Sequence, residues 1–83
     1  MPPTTELIQA REVLRSGLGR TIREKAGLSY ADVGAEMKPP VPGSTVWRWE
    51  HGVSRPRRDK AGPYLAALKR IQDAPGALDS IEA

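Results

Sequence analysis

Ser44-Thr45-Val46-Trp47-Arg48-Trp49-Glu50-His51-Gly52, continued by Val53-Ser54-Arg55-Pro56-Arg57-Arg58, is the stretch that decides the fold. Small polar residues open it. Val46 and Trp49 stand three apart, as the buried side of a helix requires, and Gly52 is the kind of residue that ends one. The stretch reads as a short helix, Ser44 to His51, running into a basic loop. Upstream, Gly27-Leu28-Ser29-Tyr30-Ala31-Asp32-Val33-Gly34-Ala35-Glu36-Met37 reads as a second short helix. Ser29 caps it, and Asp32 completes a capping box with Asp in place of the usual Glu or Gln. Val33 and Met37 face inward at i, i+4. Gly34 costs that helix about 1 kcal/mol against alanine, which close approach of another helix would explain. Lys38-Pro39-Pro40-Val41-Pro42-Gly43 cannot be helical through its prolines and forms a stiff turn, with Pro42 in the first turn of the helix that follows. Two short helices with arginines after the second make the pattern of a helix-turn-helix.

Outward from this centre, Thr4 or Thr5 can cap an N-terminal helix after a loose Met1-Pro2-Pro3 end. Leu7, Val13 or Leu14, Leu18 and Ile22 recur at helical spacing. They predict a continuous or slightly kinked helix from about Thr5 to Ala26, with a break near Ser16-Gly17 as the alternative. Gly17 and Gly19 weaken its middle, and Gly27 ends it. On the other side, Val53 to Lys60 reads as a loop. Pro63 starts the last helix, with Tyr64 or Leu65, Leu68 and Ile71 as its apolar stripe, and Asp73-Ala74-Pro75-Gly76 closes it. No strand pattern or internal repeat is visible. The expectation is an all-α, single-domain chain over 1–83, a small helical bundle of about five helices around the helix-turn-helix. Its core spans about 18–71, with 5–17 as an N-terminal helix or extension and 73–83 as an acidic tail, read as mobile.

Composition bounds the function. The chain of 83 residues is near the lower limit for a self-sufficient core. It has no cysteine, which excludes disulfides, thiolate metal sites and a cysteine nucleophile. The single histidine, His51, cannot build a metal site, and no cofactor is expected. No nucleophile–base pair or phosphate loop is present, so no enzyme is expected. No apolar run is long enough for a membrane span or signal peptide, which points to a cytoplasmic location. The net charge of +3 is modest, but its distribution is uneven. Between Lys38 and Lys60 stand Lys38, Arg48, Arg55, Arg57, Arg58 and Lys60 against Glu50 and Asp59. After Ile71 come only Asp73, Asp79 and Glu82. Positive charge thus gathers on the segment that carries the motif, as a phosphate-binding surface needs.

In order, these parts resemble the Cro/XRE-type helix-turn-helix family of phage repressors and bacterial regulators, with its lambda-repressor-like fold. The resemblance covers about Leu18 to Ile71. It rests on Ile22-Arg23-Glu24-Lys25-Ala26-Gly27-Leu28-Ser29, Val33-Gly34-Ala35-Glu36-Met37, Ser44 through Gly52, and Arg55-Pro56. It implies that Arg23 and Glu50 form an internal salt bridge, that Val46 and Trp49 are core, and that helix 44–51 enters the major groove of double-stranded DNA. Arg48 then bridges guanine O6 and N7 or binds a phosphate. Ser44 and Thr45 touch phosphate or base edges, and Gly43 admits close backbone approach. Ser29, Tyr30, Lys38, Arg55, Arg57 and Arg58 serve phosphates. His51 is a backbone contact or a charge at the helix C-terminus.

Trp47 stands where the family often carries a polar residue. Its readings are packing on a thymine methyl or sugar, covering the base of the domain, or a protein interface, with DNA contact preferred. The chain departs from the pattern in three places. The turn 38–43 looks about two residues longer than usual. Tyr30 replaces a common glutamine. The segment Arg57-Arg58-Asp59-Lys60-Ala61-Gly62 also looks longer and reads as a basic arm.

The function implied is a sequence-specific double-stranded DNA-binding transcription regulator, a Cro-like repressor. A homodimer on a two-fold site would form through Leu7, Ile8 and Val13 or Leu14, or through the last helix and its tail. The favoured use of the N-terminal helix's apolar face is to complete the core. One alternative is an excision-directing architectural protein of a mobile element. That needs a β-wing, for which Val53 to Arg58 is a poor strand. The other is a protein-binding antitoxin or anti-regulator module, with Trp47 and the N-terminal helix as anchors.

Overall fold

A computed structural model of the chain describes residues 3–74. The secondary structure there is entirely helical: α1 (Pro3–Arg15), α2 (Leu18–Lys25), α3 (Tyr30–Glu36), α4 (Gly43–Glu50) and α5 (Arg58–Asp73). No strand occurs among the described residues. Of the expected acidic tail, Asp73 ends α5 and Ala74 caps it, while the rest lies outside the described residues. No helix among them is long and apolar enough to cross a membrane.

The N-terminal half corrects the expectation of one helix from Thr5 to Ala26. Helix α1 begins at Pro3, so Thr4 and Thr5 lie inside it. The chain breaks at Ser16-Gly17, where Gly17 takes φ 85° and donates its N–H to Leu14 O at 3.2 Å. This left-handed backbone suits glycine and cannot continue an α-helix. The break turns α2 so that Ile22 and Arg23 are both buried.

Helices α2 and α4 end alike. Leu28 N–H donates to Arg23 O at 3.1 Å and Gly27 N–H to Glu24 O at 3.0 Å. After α4, Val53 N–H donates to Arg48 O at 2.9 Å and Gly52 N–H to Trp49 O at 3.3 Å. Each pair is a Schellman closure, which supplies partners to carbonyls left over at a helix end.

The start of α5 is a second correction. Pro63 lies inside the helix, which begins at Arg58. Arg57 O accepts from Lys60 N–H at 2.9 Å and Ala61 N–H at 3.0 Å, so the first turn is already closed before the proline. Pro63 sits in the second turn, where its missing N–H withdraws one bond, that to the carbonyl of Asp59. Of the residues read as a basic arm, Arg57 is the N-cap and Arg58 to Gly62 are helix. They lie against α1: Arg58 Nη1 donates to Thr4 Oγ1 at 3.2 Å, and a Cβ on Gly62 would stand 2.9 Å from the Glu6 carboxylate oxygens.

The core gathers Leu7 and Ala10 from α1, Ile22 from α2, and Val33 with the adjoining Met37 from α3. Val46 and Trp49 of α4 join Ala61, Tyr64, Ala67, Leu68 and Ile71 of α5. Val13 and Leu14 pack against its edge, while Ile8 remains exposed. Helix α1 thus completes the core through Leu7 and Ala10. Trp49 meets Tyr64 edge to face, ring centroids 5.4 Å apart. The Tyr64 hydroxyl is buried without a partner among the described residues, close to Gly19. Burial, reinforced by the charge of Glu50, raises its pKa and keeps it protonated.

Candidate functional site

Helix α4 carries the largest group of the residues singled out from the sequence, and α3 holds it in place. The capping box at the start of α3 is complete. Asp32 N–H donates to Ser29 Oγ at 3.1 Å, and Ser29 N–H donates to Asp32 Oδ2 at 2.9 Å. The backbone N–H of Ser29 and then its side chain hold the Asp32 carboxyl below its ordinary range. The expected close approach at Gly34 is present, but the partner is the connecting segment and not a helix. A Cβ at Gly34 would collide with the Val41 carbonyl oxygen, and Val41 N–H donates to Gly34 O at 3.0 Å.

Gly43 also needs a different account from the one its sequence suggests. A Cβ there would lie 2.8 Å from Ala31 N and 3.0 Å from Ala31 Cα. The open side of Gly43 is thus occupied by α3, and its lack of a side chain serves helix–helix contact. Pro42 is the N-cap of α4, one place before the helix proper.

Residues 44, 47, 48 and 51 recur at i, i+3, i+4, i+7 and so share one stripe of α4. Ser44, Trp47, Arg48 and His51 are all exposed, whereas Val46 and Trp49 on the opposite side are buried. Thr45 lies at the flank and is half-buried. Arg48 forms no side-chain hydrogen bond or ion pair among the described residues. Lys38, Arg55 and Arg57 are exposed and likewise without side-chain partners there. Arg58 is engaged by Thr4 of α1.

Beneath the stripe is a fixed ion pair. Arg23 Nε donates to Glu50 Oε2 at 2.8 Å and Nη2 to Glu50 Oε1 at 3.0 Å, while Nη1 donates to Leu28 O at 3.1 Å. The side chains are 11% and 2% exposed. The bidentate bond to Glu50 raises the Arg23 pKa further. The pair ties α2 to the last residue of α4, so the exposed stripe is placed relative to α2 as well as α3.

From this pair a series of ring contacts leads outward. The Arg23 guanidinium lies over the Tyr30 ring, 4.1 Å from its centroid. Tyr30 is 6.2 Å from the His51 ring, tilted by 59°. His51 is stacked on Trp47, with centroids 4.1 Å apart and planes within 18°. Nδ1 of His51 donates to Trp47 O at 2.9 Å. Tyr30, expected as a phosphate contact, is half-buried within this series and also carries the Arg23 charge on its face.

Sequence reasoning missed Arg11 and Arg15. A groove of 610 Å³ runs between α1 and the loop after α4, with Arg11 and Arg15 on one wall and His51, Ser54 and Arg55 on the other. Arg15 is bound by Glu12 at 2.6 Å, whereas Arg11 has no such partner among the described residues. The only available signal was the i, i+4 spacing of two arginines on α1, and that spacing alone reads as a solvated helix face.

Comparison with known protein families, with characterised proteins and with solved structures finds no match to this chain.

Proposed function

We propose that this chain is a helix-turn-helix protein that binds double-stranded DNA sequence-specifically and regulates transcription, in the manner of a small Cro-like repressor. Helix α3 supports, and α4 enters the major groove. The observation that carries this reading is the outward stripe of α4. It presents Ser44, Trp47, Arg48 and His51 to solvent on a helix whose other side is anchored by Val46, Trp49 and the Arg23–Glu50 pair. An anchored helix with an exposed face and an arginine free to bond is what direct readout requires.

Arg48 is the reader of this face, since a guanidinium can bond guanine O6 and N7 together. Lys38, Arg55 and Arg57 supply sequence-independent attraction to phosphates, joined by Arg11 across the groove. A two-fold site would set its half-sites about 34 Å apart. The chain between Gly52 and Arg58 contains no strand. An excision protein's wing would be built there, so nothing favours that alternative.

Selection of bound sequences from randomised duplex DNA tests the proposal. An enriched motif supports it, and an inverted repeat with half-sites one helical turn apart supports a dimer. No enrichment overturns it in favour of a protein-binding module. Within an enriched motif, Arg48→Ala is expected to relax preference at one base pair. Arg57→Ala is expected to weaken all sequences alike and to lower the salt slope by about one. Equal weakening of every sequence by both variants removes Arg48 as a reader.

A further inference from the structure

We infer that Trp47 is a thymine-methyl reader, held in its reading position by His51. This rests on the DNA-binding reading of α4 and adds a specificity that the fold alone does not imply. The argument starts from what an indole can discriminate. It offers one N–H donor, no acceptor, and a large carbon face. Along the major groove the base edges present donors and acceptors, and one apolar group, the C5-methyl of thymine. A tryptophan face directed at base edges therefore distinguishes thymine from the other bases chiefly through that methyl.

The structure supplies the directing. Trp47 is 42% exposed and shares its stripe with Arg48 and Ser44. Its exposure does not mean that it is loose. His51 stacks on it at 4.1 Å and is tied to its carbonyl by the 2.9 Å bond from Nδ1. Tyr30 stands beside His51, and Arg23 covers Tyr30 while gripping Glu50. The indole is thus backed by a series of contacts that ends in a buried ion pair. A side chain already restricted loses less freedom on binding, so its contact contributes more fully to discrimination. His51 acts here as a positioning residue.

The other uses of Trp47 predict different behaviour. Packing on a sugar is indifferent to base identity. An indole N–H bonded to a base acceptor is indifferent to a methyl group. A protein interface needs no DNA.

The experiment uses the full chain and the duplex enriched by selection, in which each thymine is replaced in turn by deoxyuridine, which lacks only the methyl. One position is expected to weaken binding about fourfold, the equivalent of one buried methyl. Trp47→Ala should bind the thymine and uracil duplexes equally. His51→Ala should bring the ratio below about twofold while retaining binding. Helix content of both variants by circular dichroism checks that they are folded.

If the duplex binds and no thymine responds to deoxyuridine, the inference is overturned and the DNA-binding reading stands. The same follows if Trp47→Ala keeps the fourfold difference. An unchanged ratio in His51→Ala removes the positioning role. If no duplex is enriched at all, both readings fall, and Trp47 is left as a protein contact.

Discussion

The two tryptophans of α4 are separated by one residue and occupy opposite situations. Trp49 is 5% exposed and packs edge to face on Tyr64. Trp47 is 42% exposed and rests on His51. The difference shows how one eight-residue helix divides its labour. Its inward side is filled by partners from the rest of the fold. Its outward side is braced from below and left uncovered above. A single exposed ring is ordinary for a protein surface, so the use proposed for Trp47 rests on its bracing and not on its exposure.

Truncation should separate the two rings most sharply. Trp49→Ala removes a core indole and its contact with Tyr64, and is expected to cost about 4 kcal/mol. A domain of this size has roughly 4–12 kcal/mol of stability in all, so the loss is between about a third and all of it. Trp47→Ala should lie within about 0.5 kcal/mol of the wild type. Urea unfolding followed by circular dichroism measures both. A Trp47 variant as unstable as the Trp49 variant would abolish the division between the two sides.

The next contrast is between two glutamates. Glu50 is engaged by Arg23 on an edge of α4 that the rest of the fold covers, whereas the Glu36 side chain is exposed. Glu50→Ala leaves the Arg23 guanidinium buried with only the Leu28 carbonyl as a hydrogen-bond partner, at a cost of about 3 kcal/mol. Glu36→Ala should change stability by less than about 0.5 kcal/mol. Equal melting temperatures would mean that Arg23 is not stranded as a buried charge when Glu50 is lost. The cost measures the charge left behind and not the worth of the bridge. A joint replacement of both partners by apolar residues is accordingly expected to recover much of it.

The same division explains what could be read from the residues alone. The centre of the molecule was legible because its boundaries are set locally. Ser29 with Asp32 starts α3, Gly27 and Gly52 close α2 and α4, and the spacing of Val46 and Trp49 marks the buried side. The flanks were less so. Whether Ser16-Gly17 bends or breaks a helix depends on where α2 must lie to bury Ile22 and Arg23, which local periodicity does not contain. Pro63 looked like a helix start because proline favours first turns. Packing of Gly62 on Glu6 and the bond from Arg58 to Thr4 carry the helix back past it. The site was legible as a list of exposed residues on α4. Its bracing was not, because the series from Glu50 through Arg23, Tyr30 and His51 to Trp47 joins three helices. The packing role of Gly43 was hidden for the same reason: its neighbour is Ala31, twelve residues earlier in the chain.

The smallest effect concerns the outer rim of α3, which is exposed like Trp47 yet fully engaged with its own helix. Ser29→Ala removes one half of the capping box and is expected to cost about 1 kcal/mol at neutral pH. In a domain this small that corresponds to a fall of roughly 4–8 °C in melting temperature. The other half is testable through acid. The bonds from Ser29 depress the Asp32 pKa in the folded protein, so the carboxylate's contribution is fully present above the ordinary carboxylate value. It is lost as the pH falls through the depressed folded value. Asp32→Asn, which cannot carry the charge, should therefore be less stable than the wild type at neutral pH. The two proteins should converge once the pH drops below that depressed value. A gap that persists into acid would assign the role of Asp32 to geometry and not to charge. The rim of α3 would then be held as the inward side of α4 is, by fit, and the contrast between braced and charged surfaces would move to Arg48 alone.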